Sequence, residues 1–121
     1  MMQNNNPARQ GQIYYADLSP IRGSEQGGIR PVVIVQGEMG NLFSPTTTVV
    51  PLTKVHKKMR QPTHVTIIKQ DGLVCDSMAL CEQLRTIDNS RLISPIGEVT
   101  DKQLQKIQRA IQIHLGMENA K

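Results

Sequence analysis

Only one stretch of this chain repeats its apolar residues at helical spacing, and it lies near the C-terminal end. Leu104, Ile107, Ile111 and Leu115 recur every three or four residues, which gathers them on one face of a helix. Thr100 stands at the N-cap position, and Gln103, three residues later, completes a capping box. Gly116 closes the element. Everything earlier is written in short apolar and β-branched runs cut by glycine and proline, so the fold must be mainly β. Residues 11–18 (GQIYYADL) read as a strand with Tyr14, Ala16 and Leu18 on one face, ended by Ser19 and Pro20. Residues 31–36 carry the continuous apolar run Val32-Val33-Ile34-Val35, which suits a central strand buried on both faces. Residues 46–53 are rich in β-branched side chains. Residues 63–69 alternate His64, Thr66 and Ile68 against Val65 and Ile67, as a half-exposed strand does, and Asp71-Gly72 signals a hairpin turn. Residues 73–80 and 81–87 read as one long strand or a bent pair, with a short strand over 91–96. Residues 21–30 and 37–45 read as loops. Nothing helical is read between the first strands, so alternating parallel β-α-β units do not fit. Six or seven short strands and one terminal helix point to a small, strongly curved antiparallel sheet or barrel.

The 121 residues suffice for one core. No apolar run approaches the roughly 18 residues of a membrane span. Residues 1–10 are polar, lack the apolar centre of a secretory signal, and read as a mobile arm before a domain over 11–117; a cytoplasmic protein is the expectation. Fourteen Lys and Arg against ten Asp and Glu give a formal net charge of +4, which permits an anionic partner without demanding one. With two Tyr, one Phe and no Trp, the core must be aliphatic, and an RNA-binding module that works by ring stacking alone is disfavoured. Cys75 and Cys81 fit no zinc or redox spacing. Six residues apart in a strand they face the same side, which reads as two reduced core thiols. No HExxH, CxxC or GxSxG sequence occurs, so neither a metal site nor a serine hydrolase is supported.

Three segments carry candidate chemistry. The loop Gly23-Ser24-Glu25-Gln26-Gly27-Gly28-Ile29-Arg30-Pro31 is glycine-rich, so its amides can approach an anion, and Ser24 adds a hydroxyl. It matches neither a phosphate-binding P-loop nor a dinucleotide fingerprint, and an ordinary hairpin loop has the same composition. Arg30, at the mouth of the apolar strand, is either a solvated strand end or a phosphate clamp. Thr53 is followed by Lys54, His56, Lys57, Lys58 and Arg60 with no acidic residue between them; such a stretch is a phosphate contact or a solvated loop. The segment Cys81-Glu82-Gln83-Leu84-Arg85-Thr86-Ile87-Asp88 alternates Gln83 and Arg85 with apolar neighbours, as a strand with one wet face does. His56, His64 and His114 show no catalytic or ligand spacing, and His114 falls on the helix surface.

Taken together these segments resemble the MazF/PemK toxins. The run from Gly11 through Gly-Ser-Glu-Gln-Gly-Gly-Ile-Arg-Pro to Gln36 is similar to that family's N-terminal signature. Phe43-Ser44-Pro45-Thr46, Pro62-Thr63-His64-Val65 and Glu82-Gln83-Leu84-Arg85-Thr86-Ile87-Asp88 follow in the family's order and spacing. The resemblance implies a small antiparallel barrel of the Src-homology-3 type with added helices, one of them C-terminal (the MazF/CcdB/Kid toxin fold), assembled as a homodimer. It implies the toxin of a type II toxin–antitoxin pair: a ribosome-independent endoribonuclease that cuts single-stranded RNA at short sequences. No metal and no cofactor are implied. The products carry a 2′,3′-cyclic phosphate and a 5′-hydroxyl. A MazE-like antitoxin, through a disordered segment, blocks the RNA groove. The family's catalytic Arg falls on Arg30 and its catalytic Thr on Thr53. Ser24, Glu25 and Gln83 match groove positions, and Lys54 and Lys57 hold flanking phosphates. Some relatives place a catalytic Asp where this chain has Glu82, while the histidine used in one branch has no counterpart in residues 20–23. The second reading is a non-catalytic inhibitor on the same fold, as in the gyrase poison CcdB; the third is a plain binding barrel. The Gly-Gly-x-Arg-Pro sequence together with Thr53 favours the nuclease.

Overall fold

A computed structural model describes residues 8–55, 61–68 and 73–117. Among the described residues there are seven strands: β1 (Gln12–Asp17), β2 (Ile29–Ile34), β3 (Thr46–Lys54), β4 (His64–Ile67), β5 (Ser77–Leu80), β6 (Arg85–Asp88) and β7 (Leu92–Glu98). Two helices join them, α1 (Glu38–Phe43) and α2 (Asp101–His114). The sheet runs β4-β5-β3-β2-β1-β7, with β6 also on β3, and its strand pairs are antiparallel. This is the mainly β architecture with a C-terminal helix expected above. Among the described residues no helix is long and apolar enough to cross a membrane.

Strand β3 organises the sheet. At nine residues it is long enough to take two partners along one edge: Thr46–Val49 pair with β6, and Leu52–Lys54 pair with β5. One turn of 3-10 helix, Cys81–Gln83, separates those partners. The long strand read over 73–87 is therefore a bent pair, and its first four residues precede the strand. Cys75 and Cys81 accordingly do not share a strand face. Cys81 is buried, and burial beside the Glu82 carboxylate pushes its thiol up to about 12, while Cys75 is half-buried outside the core.

The strands β1 to β3 are apolar on both faces, as the run Val32-Val33-Ile34 requires. One face (Ile13, Val33, Val50 and Leu52) packs under Ile107 and Ala110 of α2. The other gathers Tyr14, Ala16, Leu18, Val32, Ile34, Val49 and Ile87. Ala8 is buried in this second core, and the Gln10 amide donates to the Val35 carbonyl at 3.1 Å, so residues 8–10 pack against the sheet rather than belonging to an arm. Residues 1–7, like the turn at Asp71-Gly72, lie outside the described residues.

The loop expected over residues 37–45 contains α1. It has no capping side chain. Its inward residue is the buried Asn41, whose Nδ2 donates to the Gln36 carbonyl at 3.0 Å and whose Oδ1 accepts from Thr47 Oγ1 at 3.0 Å. Met39, Leu42 and Phe43 of this helix are exposed. By contrast α2 forms as its sequence dictates. Thr100 Oγ1 accepts from the Gln103 amide at 3.1 Å, and Gln103 Oε1 accepts from the Thr100 amide at 2.8 Å. At the far end, Gly116 and Met117 donate to the carbonyls of Ile113 and Gln112, so the last turn is satisfied. Ile107 is fully buried, but Leu115 is 53% exposed and contributes nothing to the packed face.

That difference sets a test of the helix stripe. Ile107→Ala should cost about 2–5 kcal/mol in urea unfolding through the cavity it leaves. Leu115→Ala should stay within about 0.5 kcal/mol of the parent.

Candidate nucleic-acid interface

The backbone of β2 decides where Arg30 points. In β2 the backbone groups of the odd residues face β3: the Val35 amide donates to the Thr48 carbonyl at 3.0 Å, and the register is Val32↔Pro51, Val33↔Val50 and Ile34↔Val49. Carried two residues further, this register sets Pro31 opposite Leu52 and Arg30 opposite Thr53. Pro31 has no amide to give. The Leu52 carbonyl that would have received it is taken instead by the Arg30 side chain, Nη1 to O, at 3.1 Å. Arg30 Nε donates to the Gly27 carbonyl at 2.9 Å. Two of the five guanidinium donors are thus spent on backbone oxygens, which fixes the plane of the group and leaves three N–H for an anion.

Arg30 and Thr53, on the same face of neighbouring strands, line one cleft of about 390 Å³ together with Lys54, Tyr15, Pro31 and Cys75. Among the described residues the Thr53 hydroxyl makes no hydrogen bond. Lys57 and His56 lie outside the described residues.

Ser24, Glu25 and Gln83 line a second open cleft of about 590 Å³, with Glu82 and Arg85. The loop between β1 and β2 contributes Ser24, Glu25 and Gln26 to this second cleft. Its stem is closed by the Leu18 amide on the Gly28 carbonyl at 3.0 Å and by Arg85 Nη1 on the Leu18 carbonyl at 3.2 Å. Gly28 sits at φ +73°, a conformation that L side chains rarely adopt, and a Cβ on Gly27 would lie 2.5 Å from the Ile21 side chain. These glycines shape the loop. Glu25 turns its carboxylate back on the loop, where Oε1 accepts from the Arg22 amide at 2.7 Å. Gln83 reaches across to it: Oε1 accepts from the Gln26 amide at 2.7 Å, and Nε2 donates to the Ser24 carbonyl at 3.3 Å. Ser24 is therefore held through its backbone, not through the hydroxyl that the sequence singles out.

The sequence reading missed a third group. His64 Nε2 lies 3.0 Å from Glu82 Oε2, and Thr63 Oγ1 donates to Glu82 Oε1 at 2.8 Å. Burial pushes the Glu82 carboxyl up, but hydrogen bonds from its own backbone amide, from His64 and from Thr63 outweigh that and hold it below the ordinary value of 4.5. An ionised carboxylate only accepts, so His64 carries its proton on Nε2. The two residues stand 18 apart in sequence and no spacing rule joins them. Only the pairing of β4 with β5, His64↔Leu80, brings them together.

Two outcomes follow from these contacts. Because Glu82 holds its proton less tightly folded than unfolded, its contribution to stability is complete above pH 4.5 and drains away as pH falls through the folded value. Wild type should therefore melt above Glu82→Gln at neutral pH, and the gap should close in acid. Pro31→Ala restores a backbone donor for Leu52 in place of Arg30 Nη1, so the protein should melt no lower than wild type while hydrogen exchange at the Arg30 Nη protons accelerates.

Known proteins share this fold. A family model described as PemK-like, MazF-like toxin of type II toxin–antitoxin system matches residues 9–115. Over 110 residues the chain is 46% identical to Endoribonuclease EndoA of Bacillus subtilis (strain 168), covering 90% of this chain and 95% of that protein. It is 48% identical, again over 110 residues, to Endoribonuclease MazF of Staphylococcus saprophyticus subsp. saprophyticus, covering 90% and 92%. A solved mycobacterial endoribonuclease, in complex with its cognate antitoxin, superposes with a TM-score of 0.77 at 26% identity over 93% of this chain and 98% of that one. By the span of the family match and the identity to both relatives, the chain belongs to the PemK-like, MazF-like toxins of type II toxin–antitoxin systems.

Proposed function

We propose that this endoribonuclease toxin cleaves single-stranded RNA, without a metal, by turning the substrate's own 2′-hydroxyl on the adjacent phosphorus. The observation that carries the reading is the Arg30 guanidinium, fixed by two backbone carbonyls, across from the Thr53 hydroxyl in one cleft. The 2′-oxygen loses its proton and bonds to phosphorus; the bond to the 5′-oxygen breaks, and that oxygen takes up a proton. The products are a 2′,3′-cyclic phosphate and a 5′-hydroxyl. DNA lacks the attacking group and is spared. Negative charge gathers on the phosphorane oxygens in the transition state. Three guanidinium N–H and the Thr53 hydroxyl are the donors for that charge. Charge stabilisation is the role given to Arg30 here, since a guanidinium offers five N–H donors and no acceptor.

In this reading Lys54 and Lys57 hold flanking phosphates, and the cleft at Ser24, Glu25 and Gln83 takes the neighbouring nucleotides. The domain over residues 11–117 acts as a homodimer, for which the exposed Met39, Leu42 and Phe43 of α1 supply an apolar face. A MazE-like antitoxin segment competes with RNA for the clefts.

Purified protein incubated with a long single-stranded RNA in EDTA should yield discrete fragments ending in 5′-hydroxyl groups. Arg30→Ala and Thr53→Ala should each slow cleavage by about 10²–10³-fold in a protein that still folds, with the melting temperature unchanged for Thr53→Ala and lowered for Arg30→Ala, which leaves the Gly27 and Leu52 carbonyls without that donor, and cleavage should weaken as salt rises. Intact RNA together with inhibited gyrase would favour the binding inhibitor, and equal cutting by Arg30→Ala would refute the site.

A further inference from the structure

A hydrogen-bonded strip runs from β4 to the Arg30 guanidinium. It begins at Thr63 and His64, whose side chains occupy both carboxylate oxygens of Glu82 at 2.8 and 3.0 Å. The Thr63 carbonyl also accepts from the Cys81 amide at 3.0 Å, so the 3-10 turn is tied to β4 through backbone and side chain alike. The next residue of that turn, Gln83, holds the Gln26 amide and the Ser24 carbonyl. One residue beyond Gln26, the Gly27 carbonyl receives Arg30 Nε. We infer that Glu82 is a positioning residue: with Thr63 and His64 it sets the Cys81–Gln83 turn, so that Gln83 fixes the loop that aims Arg30 at the scissile phosphate. The inference rests on the RNA-cleaving role proposed above for Arg30.

Glu82 is poorly made for the alternative role of proton acceptor, despite the catalytic Asp that some relatives carry there. Both of its oxygens already accept from the protein. Those same bonds stabilise its charged form, whereas a general base works best with a pKa near the operating pH. His64 cannot take the role in its place, because its side chain is 3% exposed and its Nε2 proton points at Glu82. What the pair does control is the backbone of the turn, whose next side chain is the bridge to the loop.

The test measures kcat and KM on a short RNA containing a mapped cleavage site, for wild type, Arg30→Ala, Glu82→Ala, Glu82→Gln, Gln83→Ala and the double variant Glu82→Ala/Gln83→Ala. Glu82→Ala should lower kcat/KM by about 10–100-fold, the scale of a misaimed catalytic group. Glu82→Gln, whose amide oxygen still accepts from Thr63 and whose NH2 donates to His64 Nε2 once the ring carries its proton on Nδ1, should recover most of that loss. The double variant should be no slower than Gln83→Ala alone, because both changes cut one strip. If Glu82→Gln is as slow as Glu82→Ala, the carboxylate moves a proton and the inference fails. If the two single losses multiply in the double variant, Glu82 does not act through Gln83 and the inference also fails. Thr63→Val, which removes one donor and leaves the carboxylate, is the second probe should Glu82→Ala not fold; a rate equal to wild type there overturns the inference. Should wild type leave the RNA intact, or Arg30→Ala cut as fast as wild type, the cleavage reading itself falls.

Discussion

A missing amide organises the Arg30 end of this molecule. Pro31 cannot donate to β3, and the orphaned Leu52 carbonyl draws in the neighbouring guanidinium. A buried or half-buried carbonyl without a donor is costly, so the sheet itself supplies the force that holds Arg30 in place. The second anchor, the Gly27 carbonyl, belongs to a loop whose shape depends on glycine. The Gly-Gly-x-Arg-Pro sequence therefore works as one device. Its glycines place one carbonyl, its proline frees another, and the arginine between them is left with a fixed orientation and unused donors. In the proposed reaction, preorganised donors of this kind would need no rearrangement as charge builds up on the phosphorus.

The second cleft depends on a different local exception, the break between β5 and β6. Had residues 77–88 formed one straight strand, it would have covered the whole outer edge of β3 and left no projection toward the loop. The 3-10 turn at Cys81–Gln83 interrupts the ladder and lifts Gln83 to bridge two segments 57 residues apart. Cys81 buries itself in the core beneath the turn, and Glu82 ties it sideways to β4. The apolar and polar residues of this short segment thus have separate tasks: one roots the turn and the others orient it.

The strands and α2 could be read because their signals are local. Alternation in β4, the unbroken apolar run in β2 and the capping box at Thr100 each involve residues close in sequence. The α1 helix could not, because it carries no N-cap side chain and its one inward residue is a polar asparagine satisfied by Gln36 and Thr47. Residues such as Arg30 and Thr53 were legible as chemical types and, through resemblance, as candidates. Their juxtaposition was not, because it follows from the register between β2 and β3, which no local pattern encodes. The pairing of His64 with Glu82 was hidden for the same reason. Ser24 and Glu25 line one cleft with Gln83, but through contacts the sequence does not display, since the loop uses a backbone carbonyl of one and turns the carboxylate of the other inward.

The two-sided core of β2 has a consequence for how the strand is locked. In a half-exposed strand, sliding by one residue exchanges wet and dry faces and is punished at once. Here Val32 and Val33 both meet apolar neighbours, each on its own side, so a one-residue slip is nearly silent in hydrophobic terms. What it would not spare is the strand's first turnings: Arg30 would swing to the face covered by α2, where no phosphate can enter, and Pro31 would confront a different carbonyl. Alignment of this strand is thus guarded from its reactive end, and a single-residue insertion or deletion in residues 32–34 should leave a folded but chemically mute protein.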